Sequence, residues 1–425
     1  MPLFPILLIL FASLSAAAVA YGTHPDWILR PHGLQIITAS HHLQWPLTLL
    51  SILLCLLLIA LVASGKRRIF WLLGLAPVAA LLFHHFHSDP MLSFSILENP
   101  PFISSANSPN LLPDDDYLVG LHIGDTSYAY PYSLLYTNPV ILHTDRQRRI
   151  LLMWSPFANR ATAFLVDHDI RATELDIVSM PANALLLYNS RLGQFINALT
   201  GTTPAGTSPQ GFLTPIPVTK TTWKTWHTLH PDTQLLAIPP QYATGLPHRP
   251  VLPYFQTPPA SGLPADTRIT LIGSPPSPLA IPSEEITIHP ANLTPDAGTP
   301  LLLYRDPASN LVRAFDRRFQ PDLSPAFRLI SDPKRPGVSL TDDATHTGWS
   351  LAGVAVDGDQ KFKGLKLAPV PTDDDLPYPV LKYWLPSLTL THLHPEDLAP
   401  DNTLSNNSSV PTPHLIRRRR TPRRH

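Results

Sequence analysis

Cysteine is all but absent: Cys55 is the only one in a chain of 425 residues, and it lies inside an apolar run. A single cysteine excludes an intrachain disulfide and any multi-cysteine zinc or iron–sulfur site within one chain. Charge is also scarce. Only 15% of residues are charged, and 31 Lys and Arg are matched by 31 Asp and Glu. That balance gives no hint of a nucleic-acid or acidic partner, so no specific nucleic-acid binding is expected. Long soluble helices are disfavoured by 50 prolines, since an interior proline removes a hydrogen bond and clashes with the preceding turn. No hydrolase elbow, phosphate loop or zinc-protease spacing is present, so no catalytic residue is assigned and no recognised motif requires a cofactor.

What the chain does have is three apolar runs at its start. The first, Leu3 to Ala20, is uncharged and ends in Ala18-Val19-Ala20, a small-x-small cleavage pattern. No Lys or Arg precedes it, and its length approaches the ~18 residues of a spanning helix. Residues 1–20 are therefore read as a signal peptide or a first transmembrane helix. Trp45 to Ala63 and Ile69 to Phe86, the latter containing Pro77, are read as transmembrane helices of a membrane region over residues 21–88. Gly65-Lys66-Arg67-Arg68 between them is a short basic loop, which marks the cytoplasmic side. The Tyr21–Gln44 loop and everything after Phe86 then lie outside, which places the protein in the cell (inner) membrane with its large domain extracytoplasmic and the bilayer as a partner.

Histidines gather near the outer helix ends: His41 and His42 before the second helix, and His84, His85 and His87 at the end of the third. Imidazole ligates zinc, copper and haem iron, so these five are candidate metal ligands; the plainer reading is that they are interfacial polar residues.

The large region repeats itself. Leu151 to Phe164 matches Leu301 to Phe315, each an apolar run, a Pro–Asn turn and a strand ending in Ala-Phe. Leu121-His122-Ile123-Gly124 with Ala129-Tyr130-Pro131 parallels Leu271-Ile272-Gly273 with Ala280-Ile281-Pro282. Thr200 to Gly206 parallels Ala352 to Gly358, and Gly211 to Pro217 parallels Gly364 to Val370. The expected fold class is N-terminal transmembrane helices followed by a mainly-β (α+β) extracytoplasmic domain built from two related copies. The units are a linker over 89–113, a first copy over 114–240, a linker over 241–265, a second copy over 266–398 and a disordered basic tail over 399–425. The best soluble helix candidate is Thr219 to His230, where Trp223, Trp226 and Leu229 recur at helical spacing as core residues. In the second copy Pro377, Pro379 and Pro386 oppose a long helix around Tyr383 and Trp384.

Tyr188-Asn189-Ser190 ends the apolar stretch Ala184 to Leu187 and puts three hydrogen-bonding side chains where a strand meets a turn. These are the candidate ligand-binding residues, although Asn and Ser also suit turns on their own account. Asp114-Asp115-Asp116 and Asp373-Asp374-Asp375 read as solvated turn residues, because no glycine-punctuated calcium loop surrounds them. The terminal Arg417-Arg418-Arg419-Arg420 suits anionic head groups or envelope polymers, or serves as a solubilising tail.

These pieces resemble the family known as domain of unknown function 3179. The resemblance rests on Val119 to Gly124 with Ala129-Tyr130-Pro131, on Leu187 to Ser190 with Leu199-Thr200-Gly201, and on Thr222 to Trp226 with His230 to Thr233. It covers Asp116 to Ala237 well and the second copy weakly. Family members typically carry Cys-Pro-x-Cys-Gly where this chain has Ser155-Pro156-Phe157-Ala158-Asn159, and often a His-Glu pair where it has Asn138-Pro139. Any metal or redox chemistry of a Cys-x-x-Cys pair is therefore expected to be lost here. The expected function is a non-catalytic module of the cell envelope that binds a ligand or protein partner, with a metal- or haem-dependent membrane protein as the alternative.

Overall fold

A computed structural model describes residues 3–398 apart from 66–68, 89–92, 108–111, 238–246, 258–262, 265, 274–277, 295–297, 321–322 and 332. Lys66-Arg67-Arg68, parts of the 89–113 and 241–265 linkers and the basic tail thus lie outside the described residues.

Backbone groups of an apolar run in lipid must be satisfied within the run, which selects helix. The first runs form α1 (Leu3–Tyr21), α2 (Gly33–Ala63) and α3 (Leu75–Ser88). Leu3–Tyr21, Gly33–Ala63 and Ile69–His87 are long and apolar enough to cross a membrane. Small residues let α1 approach its neighbours: Ala12 and Ala16 pack with Leu54 and Cys55 of α2 and Val78 of α3. Ser51 Oγ donates to the Ala12 carbonyl at 3.0 Å, an interhelical bond of the kind that holds helices together in lipid.

Helix α2 departs from expectation. Residues 33–44, read as loop, belong to it, and Pro25–Leu29 ahead of it is a short 3-10 helix. Hydropathy ends the run at Trp45 because Thr38, Ser40, His41, His42 and Gln44 are polar, but helix does not need lipid when protein packs on it. At 1.5 Å per residue, the 31 residues of α2 span roughly 46 Å, against a hydrocarbon core of about 30 Å. One end must project, and the β region packs on the N-terminal end: Ile37 and Leu34 meet Val178, Leu186, Phe195 and Tyr188. The third run is also divided, with Ile69–Gly74 a 3-10 turn before α3.

The remainder is mainly β. One five-stranded sheet runs Ile96–Glu98, Val140–Asp145, Arg148–Ser155, Arg160–Val166, Phe212–Ile216. A second runs Val218–Thr222, Tyr117–Ile123, Thr126–Pro131, Gln234–Leu236, Phe102–Ser104. A three-stranded sheet of Leu175–Ser179, Leu186–Asn189 and Gln194–Asn197 faces α2. The expected 89–113 linker therefore supplies an edge strand to each large sheet; three-residue strands are too short to show a period in sequence. Helix Trp223–Leu229 is shorter than expected, since Val218–Thr222 pairs with Tyr117–Ile123 as strand. Its tryptophans are core, each 2% exposed, while Leu229 is exposed.

Pairings after residue 266 follow the same order. Arg268–Ile272 pairs with Leu279–Pro282 and with Thr372–Pro377, which leads into helix Tyr378–Trp384. Leu301–Arg305 and Val312–Asp316 form a hairpin turning through Asn310 at φ 56°, as Arg148–Ser155 and Arg160–Val166 turn through Asn159 at φ 47°. Asparagine tolerates this left-handed conformation better than most residues. Both halves share one core, in which Ala158, Ala184 and Leu199 pack with Ile269, Leu271, Leu376 and Leu381.

A side chain at Gly120 would enter the ring of Trp226, which is buried with its Nε1 donating to Thr233 Oγ1 at 2.9 Å. Gly120→Ala should therefore cost about 2 kcal/mol by overpacking, read as a lowered denaturation midpoint of the full-length protein in detergent. An unchanged midpoint would show that the tryptophan helix does not lock onto this sheet.

Candidate functional site: a neutral crevice beside a charged seam

Strand pairing brings Thr372–Pro377 against the first half, and with it Asp373, Asp374 and Asp375. These residues are not the solvated turn expected: each carboxylate has a partner. Asp373 lies 2.9 Å from Lys220 Nζ and 3.8 Å from Arg160 Nη1. Asp374 accepts from Thr270 Oγ1 at 2.6 Å, Ser283 Oγ at 2.8 Å and Arg305 Nη1 at 2.8 Å. Burial would raise the Asp374 carboxyl, but the bonds from Arg305 and Thr270 hold it below its usual range. Asp375 accepts from Asn159 Nδ2 at 3.1 Å. A run of aspartates reads as solvent-facing only while its partners, 69 to 216 residues away in sequence, are unknown. Asp114 and Asp115 do lie in an exposed turn, whereas Asp116 is buried beside His248 Nδ1 at 3.2 Å.

Lys220 is the centre of this seam. Its side chain is 7% exposed, and its ammonium donates to the Asn159 carbonyl at 2.5 Å and the Asp374 carbonyl at 2.6 Å. Two carbonyls accept from the amine and the Asp373 carboxylate pairs with its charge, so it serves as a structural cation rather than a nucleophile. Arg160 is buried, its guanidinium pulled down by burial against the pull of Asp373, with Nε and Nη1 unpartnered among the described residues. Ser155 and Ala158 are the two positions at which the resemblance implied cysteines. Both are fully buried, and Ser155 Oγ accepts from the Leu185 backbone N–H at 3.0 Å.

An open site lies on the other side of the first half. Alternation along Thr126–Pro131 puts Tyr128 and Tyr130 on one face, where Phe102 and His143 from neighbouring strands meet them. Ring centroids of Phe102–His143 and Tyr128–His143 are 5.0 and 4.9 Å apart. A crevice of about 300 Å³ opens here, rimmed by Thr126, Thr144 and Gln234. His143 Nε2 lies 2.6 Å from the buried Tyr130 hydroxyl. That hydroxyl has no other partner among the described residues. Burial pushes His143 down to about 4, against the pull of Asp145, so the ring is uncharged at neutral pH. Burial also pushes the Tyr128 phenol up to about 12, helped by the Asp145 carboxylate. No Lys, Arg, Asp or Glu lines the crevice among the described residues. Its chemistry is that of neutral hydrogen bonding beside aromatic faces. A second crevice, of about 430 Å³, is lined by Ile272, Leu279, Leu301, Val370, Thr389 and Thr391 among others, with no aromatic ring among the described residues.

Tyr188 is half-buried, its ring 4.8 Å from His41, 5.2 Å from His42 and 4.8 Å from Phe195. Asn189 is buried; its Oδ1 accepts from the Leu192 N–H at 3.0 Å and its Nδ2 is unpartnered among the described residues. Ser190 Oγ donates to the Glu174 carbonyl at 3.1 Å. Three residues adjacent in sequence thus face a helix, a turn and solvent. The histidines are likewise dispersed. His84 packs on Tyr21, His85 Nε2 pairs with Gln44 Nε2 at 2.7 Å, and His87 stacks on Phe83. No group of three or more His, Cys, Asp or Glu able to hold a metal ion occurs among the described residues. Sequence reasoning missed His143, whose only signal was a histidine directly after the apolar Val140-Ile141-Leu142.

Three apolar helices long enough to cross a membrane, joined to a mainly β region with a seam of ion pairs, define the class of this protein. The chain belongs to the family described as Protein of unknown function (DUF3179), whose sequence profile matches residues 94–378. That match runs through both halves, well beyond the Asp116–Ala237 stretch where the resemblance is easiest to read. No curated protein and no solved structure matches the chain.

His143 has a folded value near 4 against 6.5 for a free histidine. The unfolded chain therefore binds the extra proton between those values, and stability must fall as pH drops from about 6.5 to 4, by about 3 kcal/mol from this group. Urea midpoints at pH 7 and pH 4.5 should differ less in His143→Gln than in the parent protein. Equal pH slopes in the two proteins would mean that His143 is not held neutral.

Proposed function

We propose that this protein is a membrane-anchored, non-catalytic binding module of the cell envelope, built from two related copies, that takes a small uncharged polar ligand in the crevice around His143. The observation that carries this reading is a neutral imidazole between two aromatic rings, beneath a rim of hydroxyl and amide groups. A ligand suited to it is a polyol or a single sugar unit, whose hydroxyls pair with neutral donors and acceptors and whose C–H faces lie on rings. Duplication is supported by the repeated order of strand pairings and by a shared close approach: Gly201 abuts Phe164 at φ 69°, and Gly353 abuts Phe315 at φ 71°. Orientation is supported by the basic Lys66-Arg67-Arg68 beyond the Ala63 end of α2, opposite the end on which the β region packs.

Thr126→Trp fills the crevice from its rim. Full-length protein in detergent should be stabilised by at least one member of a panel of neutral sugars and polyols, and Thr126→Trp should abolish that shift. A panel without a binder, or binding indifferent to the tryptophan, would remove the crevice as the site. Side is tested independently in a Cys55→Ser background carrying Ser208→Cys, at an exposed turn. An impermeant maleimide should label intact cells; labelling only after lysis would reverse the orientation.

A further inference from the structure

A cavity of about 580 Å³ lies where the chain leaves α1, and Tyr21, His24, Asp26, Trp27, Leu29, Arg30 and Gln256 line it. Tyr21 is the last residue of a helix long and apolar enough to span a bilayer, so this cavity stands at the level of the lipid head groups. Its walls are built rather than incidental. Trp27 Nε1 donates to the Tyr21 carbonyl at 2.6 Å, which holds the indole against the end of α1. Ser179 Oγ donates to the Thr23 carbonyl at 2.7 Å, tying the loop to the β region. Buried Asn183 holds the segment that brings Gln256 to the cavity: its Oδ1 accepts from the backbone of Tyr254 and Phe255 at 2.8 Å each, and its Nδ2 donates to the Phe255 carbonyl at 2.7 Å.

The titratable groups are few. Arg30 is exposed and its guanidinium has no partner among the described residues. Asp26 is half-buried, 3.9 Å from His24 Nδ1. That same nitrogen accepts from the Asp26 N–H at 3.3 Å, so neutral His24 carries its proton on Nε2 as a donor. His84 packs on the outer side of Tyr21 with ring centroids 5.3 Å apart. One guanidinium and one carboxylate beside two aromatic rings make a site for a group that carries both signs.

We propose that this cavity holds the head group of a zwitterionic phospholipid with a primary ammonium, its phosphate on Arg30 and its ammonium on Asp26 against Tyr21 and Trp27. A guanidinium binds phosphate by paired N–H bonds, and aromatic faces favour an ammonium. Leu29 and Tyr21, 40% and 46% exposed, give the first acyl carbons an apolar surface. The inference rests on α1 spanning the bilayer and is independent of the crevice around His143; release of the protein from membranes by alkaline carbonate would expose a failure of the spanning reading by itself.

Native mass spectrometry of the full-length protein in detergent is the test, with phosphatidylethanolamine, phosphatidylglycerol and inorganic phosphate as probes. The intact protein should retain phosphatidylethanolamine at least fivefold over phosphatidylglycerol, roughly 1 kcal/mol, and inorganic phosphate should not displace it. Arg30→Gln should lose retention of both lipids. Asp26→Asn should fold and keep phosphatidylglycerol while losing the preference. Retention unaffected by Arg30→Gln, a preference for phosphatidylglycerol, or displacement by inorganic phosphate would each overturn the proposal.

Discussion

A buried ammonium cannot be left without partners, and that requirement at Lys220 orders much of this molecule. Its strand belongs to the first half, yet two of its three partners, the Asp374 carbonyl and the Asp373 carboxylate, come from the second. Its third, the Asn159 carbonyl, is the turn of the long hairpin. Removing any of them would strand a charge in a low-dielectric seam, where desolvation costs several kcal/mol. The two halves are therefore coupled through one cation as well as through the apolar cluster around Ala158 and Leu271. Asn159 completes the arrangement. Tyr132 Oη donates to its Oδ1 at 2.8 Å, and its Nδ2 donates to the Asp375 carbonyl at 3.1 Å.

The same hairpin turn is where the family's paired cysteines would stand. Ser155 and Ala158 are sealed between the halves, so their substitution leaves a turn whose groups are spent on packing and on one backbone bond. Open polar surface lies instead at His143. There the ring is uncharged because burial outweighs the nearby carboxylate, and the seam's ion pairs face a different side of the sheets.

The N-terminal end of α2, a helix longer than a hydrocarbon core is thick, makes the second joint of the molecule. Its N-terminal turns are polar enough to leave lipid and apolar enough on one side, at Leu34 and Ile37, to receive a sheet. His41 and His42 share the Tyr188 and Phe195 rings there. Residues singled out separately as metal ligands and as a ligand site thus meet in one packing contact, which no spacing within either segment discloses.

Composition and local pattern determined a good deal. Uncharged runs of helical length could only become apolar helices, and proline-punctuated runs with Pro–Asn turns could only become short strands and hairpins, as at Leu151–Phe164 and Leu301–Phe315. The buried tryptophans at 223 and 226 were legible from their three-residue spacing. Tertiary structure alone decided the rest, because the deciding partners are far apart in sequence. Only pairing of Thr372–Pro377 with Arg268–Ile272, beside Lys220, turned three aspartates from apparent surface into a partly buried seam of ion pairs and hydrogen bonds. A sheet from residues 175–197 made helix of an expected loop. Two three-residue strands, at 96–98 and 102–104, carry no period of their own and take their conformation from the sheet edges they join. Local sequence sets what a segment prefers by itself; burial and long-range charge pairing set what it faces, and the candidate sites depend on the second.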